Sequence, residues 1–169
     1  MLKKSSVRSL VFASLCAALS IVLGKLLQIP VGNSVRISFE SLPVLFASLT
    51  LGPIWGALSG LVADLVGCVI MAYDVNPFVT LGAVTVGVLP ALLVRDTKRF
   101  SHLYVPVLAA HAVGNMCIKS IGLYLYYRIS PVLLLLRVFV SFVLSILESI
   151  LLYQLLRSTH TPLWKGVGR

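Results

Sequence analysis

The sequence predicts an all-α membrane protein, six transmembrane helices in a compact bundle with both termini cytoplasmic, and three observations carry that prediction. First, 59% of the 169 residues are hydrophobic and only 11% are charged, with a mean hydropathy of +1.02. A soluble domain of this size needs far more polar surface, so a soluble enzyme, a disordered chain and a disulfide-stapled domain are excluded. Second, uncharged stretches of helical length recur between clusters of Gly, Pro, Asn and charge. Crossing about 30 Å of hydrocarbon takes about 20 helical residues, so roughly six crossings use about 120 positions and leave the rest for loops and ends. Third, the formal charge of +9 is spread along the chain instead of forming one basic face, which fits a membrane protein sorting its loops better than a nucleic-acid partner.

The whole chain, 1–169, reads as one integral membrane domain. Residues 9–24 are uncharged and follow Lys3, Lys4 and Arg8. A secretory signal also begins this way, but no A-x-A site precedes Lys25, and Leu15 stands where a lipoprotein signal needs a small residue. The segment is therefore an uncleaved first helix, about 5–28. Pro30, Gly32, Asn33 and Arg36 make 29–38 a loop. The next apolar run is split by Gly52-Pro53, since Pro cannot continue a helix but suits the first turn of a new one. That gives a short second helix, 40–51, and a third, 53–72, carrying Asp64. Asp74, Asn76 and Pro77 start a fourth, 77–94, which ends at Arg95, Asp96, Lys98 and Arg99; a fifth spans 103–127, and Arg128 to Pro131 turns the chain into a sixth, 131–156. The cysteines Cys16, Cys68 and Cys117 lie in apolar runs without ligand spacing and read as small core residues.

Orientation follows from the basic residues at the helix ends. The side holding both termini carries nine of them (Lys3, Lys4, Arg8, Arg95, Lys98, Arg99, Arg157, Lys165, Arg169), and the other carries Lys25, Arg36 and Arg128. The richer side is cytoplasmic. Two further cations, Lys119 and Arg137, fall inside helices, roughly 12 Å and 9 Å below their outer ends. Ionisable groups at that depth face a cavity or a partner. His111, Asn115, Lys119 and Tyr126 share one face of the fifth helix, and Arg137, Ser141, Ser145 and Glu148 one face of the sixth. The two stripes predict either a satisfied structural network or a shared lining; with Arg36 they outline an outward-opening basic pocket for an anionic ligand.

Ala13-x-x-x-Ala17 on the first helix is a small-residue pair that lets another helix approach, either a partner's or the third helix at Gly56 and Gly60. No G-x-x-x-x-G-K-[ST] is present, so if the chain drives uptake the energy has to come from a partner. Ser59 in Gly56-Ala-Leu-Ser59-Gly60, with His111, is similar to the Ser/His dyad of rhomboid intramembrane proteases. The match fails in detail: Ala57 stands where that family's G-x-S-G needs Gly, and Ile118 stands where a small residue is expected.

Three segments resemble the substrate-binding S component of energy-coupling factor (ECF) vitamin transporters, most closely the folate group. They are Arg36-Ile-Ser-Phe39-Glu-Ser-Leu-Pro43, Gly52-Pro53-Ile-Trp-Gly56-Ala-Leu-Ser-Gly60-Leu-Val-Ala-Asp64-Leu-Val-Gly67, and Tyr73-Asp-Val-Asn76-Pro77-Phe-Val-Thr80-Leu-Gly82-Ala. With the Ala13/Ala17 pair the match covers about 13–90. The resemblance implies no enzyme and no cofactor. It implies a six-helix protein of the bacterial plasma membrane that captures a vitamin outside and associates with a transmembrane coupling subunit (EcfT-type) and two cytoplasmic ATPases, as part of an ECF-type ABC importer. Ala13 and Ala17 would contact the coupling subunit. Substrate binding would fall by position to Arg36, Tyr73, Asn76, Thr80, Asn115, Lys119 and Arg137, of which the last three rest on helix geometry. Phe39 and Tyr73 would stack on a pteridine ring, and basic groups would hold the two carboxylates of a folate tail. S components for other vitamins or for deazapurine nucleobases share the same scaffold motifs and stay open as alternatives.

Overall fold

A computed structural model describes residues 4–31, 35–94 and 100–159. Helix α1, Lys4–Ile21, runs on through a π-helical turn, Val22–Leu26, into a hairpin of β1, Ile29–Val31, and β2, Val35–Ile37. The strands are antiparallel, with Ile29 opposite Ile37 and Pro30 opposite Arg36. Then follow α2, Ser41–Leu51; α3, Pro53–Ile70; and α4, Pro77–Leu93. A fifth rod is made of α5, Phe100–Ala110, a π-helical segment, His111–Ile118, and α6, Lys119–Tyr127; α7, Pro131–Thr159, completes the chain. The described residues thus form six helical rods. The expected loop at 29–38 is corrected to two short paired strands: Pro30 keeps the helix from continuing, yet 29–31 and 35–37 pair along their backbones.

The breaks have local causes. Gly52 sits at φ 103°, where a side chain would be strained, and Pro53 opens α3 directly after it. Asn76 caps α4, its side chain accepting from the Phe78 N–H at 3.0 Å, with Pro77 at the first helical position. Arg128 closes α6 in the left-handed conformation.

Packing between α3 and α4 depends on missing side chains. A Cβ on Gly56 would strike the Gly87 carbonyl, one on Gly87 would strike the Gly56 carbonyl, and one on Gly60 would press on the Ala83 carbonyl. Close backbone approach of this kind replaces the hydrophobic drive that lipid removes. Helix α1 rests on the other side of α3, where the Ser59 hydroxyl donates to the Ala13 carbonyl at 3.0 Å. Ala13 and Ala17 are only 5% and 2% exposed, so in this arrangement they seat α1 against its neighbour inside the molecule.

Leu45, Leu49, Val86, Val94, Leu103, Val107, Ala110, Leu152 and Leu156 form one buried cluster, drawn from the ends of α2, α4, α5 and α7 that lie nearest the two chain termini. Among the described residues, three helical stretches are long and apolar enough to cross a membrane, Val7–Leu26, Pro53–Ile70 and Pro131–Ser158; Ser41–Leu51 and Pro77–Leu93 are apolar but shorter. Cys16 and Cys68 are buried, whereas Cys117, expected in the core, is exposed.

Candidate substrate cavity

At the end opposite the buried cluster the helices part around a cavity of about 660 Å³, within the size range of small-molecule sites. Its walls come from the π-helical turn after α1, the residues ahead of α2, the end of α3 and the connection after it, the start of α4, the π-helical segment with α6, and α7. Tyr127 and Asp74 stand near the mouth, Lys119 and Arg137 deeper, and His111 and Glu148 deepest. At 1.5 Å per residue Glu148 lies roughly 25 Å along α7 from its start.

Three glycines make room for three charged side chains. A Cβ on Gly24 would meet Glu40 at 2.7 Å, one on Gly67 would meet Lys25 at 2.7 Å, and one on Gly82 would meet Lys119 at 2.5 Å. The fifth rod contributes His111 and Asn115 from its π-helical segment and Lys119 from the first residue of α6. Such wider turns are frequent where side chains serve a site.

The charges are largely balanced. Lys119 Nζ donates to Glu40 Oε1 at 3.0 Å, the ammonium being almost fully buried and the carboxylate about a third exposed. The Lys119 charge beside it, helped by Lys25, holds the Glu40 carboxyl down to about 2 against the desolvation that opposes this. Thr80 donates to Asp64 Oδ2 at 2.6 Å. His111 Nε2 donates to Glu148 Oε2 at 2.9 Å, and Asn115 Nδ2 donates to His111 Nδ1 at 2.9 Å. Three cations, Lys25, Lys119 and Arg137, therefore face four carboxylates, Glu40, Asp64, Asp74 and Glu148. The expected basic pocket is corrected on this point: among the described residues the lining is not net positive. Within it, Lys25 and Arg137 have no carboxylate at ion-pair distance among the described residues.

Of the residues expected to bind, Tyr73, Asn76, Asn115, Lys119 and Arg137 all reach the lining. Asn76 is already engaged, capping α4 and donating to the Gly122 carbonyl at 3.2 Å. Phe39 is partly buried outside the lining, and Thr80 is turned to Asp64 instead, so neither faces the cavity. Arg36 stands in β2 opposite Pro30, and its side chain lies outside the described residues. Lys25, Glu40, Asp64, His111 and Glu148 also line the cavity. Glu40 carried no signal of its own, since its partner Lys119 is 79 positions away. Two members of the expected stripes miss the cavity. Tyr126 packs edge-on against Phe78, and Ser145 bonds to the Phe142 carbonyl. The π-helical turns upstream change the phase of the fifth rod, so Tyr126 leaves the face of His111.

The family profile described as "ECF transporter, substrate-specific component" matches residues 8–160. The chain belongs to this family. S components are membrane-embedded, substrate-binding subunits of vitamin transporters, and this one is a multi-pass membrane protein of that kind, not an enzyme. The Ser59/His111 dyad accordingly does not exist: Ser59 is bonded to the Ala13 carbonyl and His111 to Glu148 and Asn115. The S component's fold is similar to several solved structures. One is "Crystal structure of FolT bound with folic acid", at 19% identity over 87% of this chain and 91% of that one, with a TM-score of 0.74. Another is the S component of a bacterial ECF transporter, at 20% identity over 90% and 95%, TM-score 0.68. A third is the S component for biotin from an ECF-type ABC transporter, at 19% identity over 96% and 95%, TM-score 0.69. No curated protein matches the sequence.

Proposed function

We propose that this S component binds a folate-type vitamin at the outer face of a bacterial plasma membrane and delivers it inward as the specificity subunit of an ECF-type ABC importer. In this reading all six rods cross the membrane, the basic loops keep both termini cytoplasmic, and the cavity opens outward. Transport requires a transmembrane coupling subunit and two cytoplasmic ATPases, since the chain carries no P-loop of its own.

The observation that carries the substrate assignment is Arg137, a guanidinium on the cavity wall with no carboxylate at ion-pair distance among the described residues. A planar fork of this kind takes a ligand carboxylate in two parallel hydrogen bonds. Tyr73 at the wall offers an aromatic face to a flat ring. Support also comes from the motifs shared with the folate group and from the fold shared with a folic-acid-bound protein. Because a biotin S component shares the fold nearly as well, the ligand is tested directly: mass spectrometry of the small molecule that copurifies with the protein from its own host should find a folate. Recovery of biotin or another vitamin would overturn the folate assignment.

A further inference from the structure

Once the protein's own hydrogen bonds are assigned at the deep end of the cavity, two acceptors are left over. The His111 ring is held from both sides, its Nε2–H donating to Glu148 Oε2 and its Nδ1 accepting from Asn115 Nδ2, each at 2.9 Å. The other Asn115 proton goes to Ser41 Oγ at 3.4 Å. What remains is Glu148 Oε1 and Asn115 Oδ1, both buried and both without a hydrogen-bond partner among the described residues. Their residues are 0% and 8% exposed and line the cavity. A buried carboxylate oxygen without a donor is among the most costly groups a protein can hold. A network built only for stability would satisfy it, since half-satisfied networks are worse than an apolar core.

We propose that this floor reads the ligand's ring: Glu148 Oε1 and Asn115 Oδ1 accept from a planar heterocycle that carries an exocyclic amino group beside a ring N–H. The inference rests on the folate-type reading and deepens it by naming the atoms that select the ring. The chemistry is one-sided. The floor offers acceptors and one negative charge, so it repels a ligand carboxylate and requires N–H donors. An anionic tail is thereby turned toward Arg137 and Lys119, nearer the mouth. The His111 contacts fix which atoms are free: while Nε2–H is committed to Glu148 and Nδ1 to the Asn115 amide nitrogen, both leftover atoms are oxygens.

Glu148→Gln separates this role from a structural one. The Gln carbonyl still accepts from His111, while its amide nitrogen replaces the free acceptor by a donor. Calorimetry on the full chain in detergent uses three probes: folic acid; 6-methylpterin, which has the donor edge without the tail; and the 2-desamino form of 6-methylpterin. In the parent, removing the amino group should weaken binding about a hundredfold, as for a site left with an unpaired polar group. Glu148→Gln should weaken folic acid and 6-methylpterin by a similar factor and leave the desamino probe within about threefold, the signature of direct coupling. Equal weakening of all three probes, or folic acid binding alike to parent and variant, would overturn the floor's role and leave the folate reading standing. Binding of 6-methylpterin but not folic acid, with the Glu148 effect intact, would keep the floor's role and overturn the folate reading. No binding of either would overturn both. If Glu148→Gln does not fold, the parent alone decides: a ratio of about a hundredfold between 6-methylpterin and its desamino form supports the proposal, and a ratio within about threefold overturns it.

Discussion

The two ends of this bundle are built on opposite principles. Near the chain termini, Leu45, Leu49, Leu103, Val107, Leu152 and Leu156 pack with little or no exposure and no charged member. At the other end Lys25, Glu40, Asp64, Lys119, Arg137 and Glu148 stand around open space. The difference teaches where stability and recognition are kept. Close packing holds the rods together without help from a ligand, while the polar end is shaped by glycines that yield volume to charged side chains. A substitution at one end should therefore move a different observable from a substitution at the other.

The largest effect is expected from breaking the packed end. Leu103 is fully buried, and Leu103→Ala should cost about 2–5 kcal/mol of stability. Thermal unfolding in detergent should show a large fall in midpoint, with ligand affinity of the folded fraction unchanged. Next comes the α1 seam. Ala17→Trp inserts bulk where 2% is exposed and should destabilise by about 1–3 kcal/mol or more, whereas Leu15→Trp, at a site 64% exposed, should stay within about 0.5 kcal/mol. Equal tolerance of the two in the same unfolding measurement would place Ala17 on an outward surface after all.

The polar end should respond the other way. Arg137→Met removes a partly buried cation with no carboxylate at ion-pair distance among the described residues, so the ligand-free melting midpoint should hold or rise. Affinity for a carboxylate-bearing ligand should fall roughly ten- to a hundredfold by calorimetry. The smallest effect is the pH response of Glu40. Its carboxyl is lowered from 4.5 to about 2 by Lys119, so its contribution to stability is complete above about pH 4.5 and is lost as pH falls toward 2. Melting midpoints taken from pH 5 downward should drop less in Glu40→Gln than in the parent, sharpening the contrast with Leu103→Ala, whose deficit should not depend on pH in that window.

Much of this architecture is written locally and was legible. Gly52-Pro53 and Asn76-Pro77 mark helix boundaries because φ, the missing proline N–H and the capping side chain act within a few residues. The facing stripes brought His111, Asn115, Lys119, Arg137, Ser141 and Glu148 to one lining for the same reason: helical period is a local property. What escaped depends on distant or irregular geometry. Nothing near Glu40 announces Lys119, and nothing near Thr80 announces Asp64, since those contacts exist only after the helices dock. The π-helical segment at His111–Ile118 has no strong composition signal and changed the phase that would have turned Tyr126 inward. The charge balance is not readable along the chain, because the carboxylates that face the cations come from other rods.

On the proposed function, the polar end is a preformed binding site that works without partners or energy. Its most direct test is calorimetric titration of folic acid into the purified chain in detergent, with no coupling subunit and no ATP. Saturable one-to-one binding is expected, weakened by Arg137→Met and left intact per folded molecule by Leu103→Ala. Absence of folic acid binding to the folded parent, with biotin or another vitamin binding in its place, would contradict it.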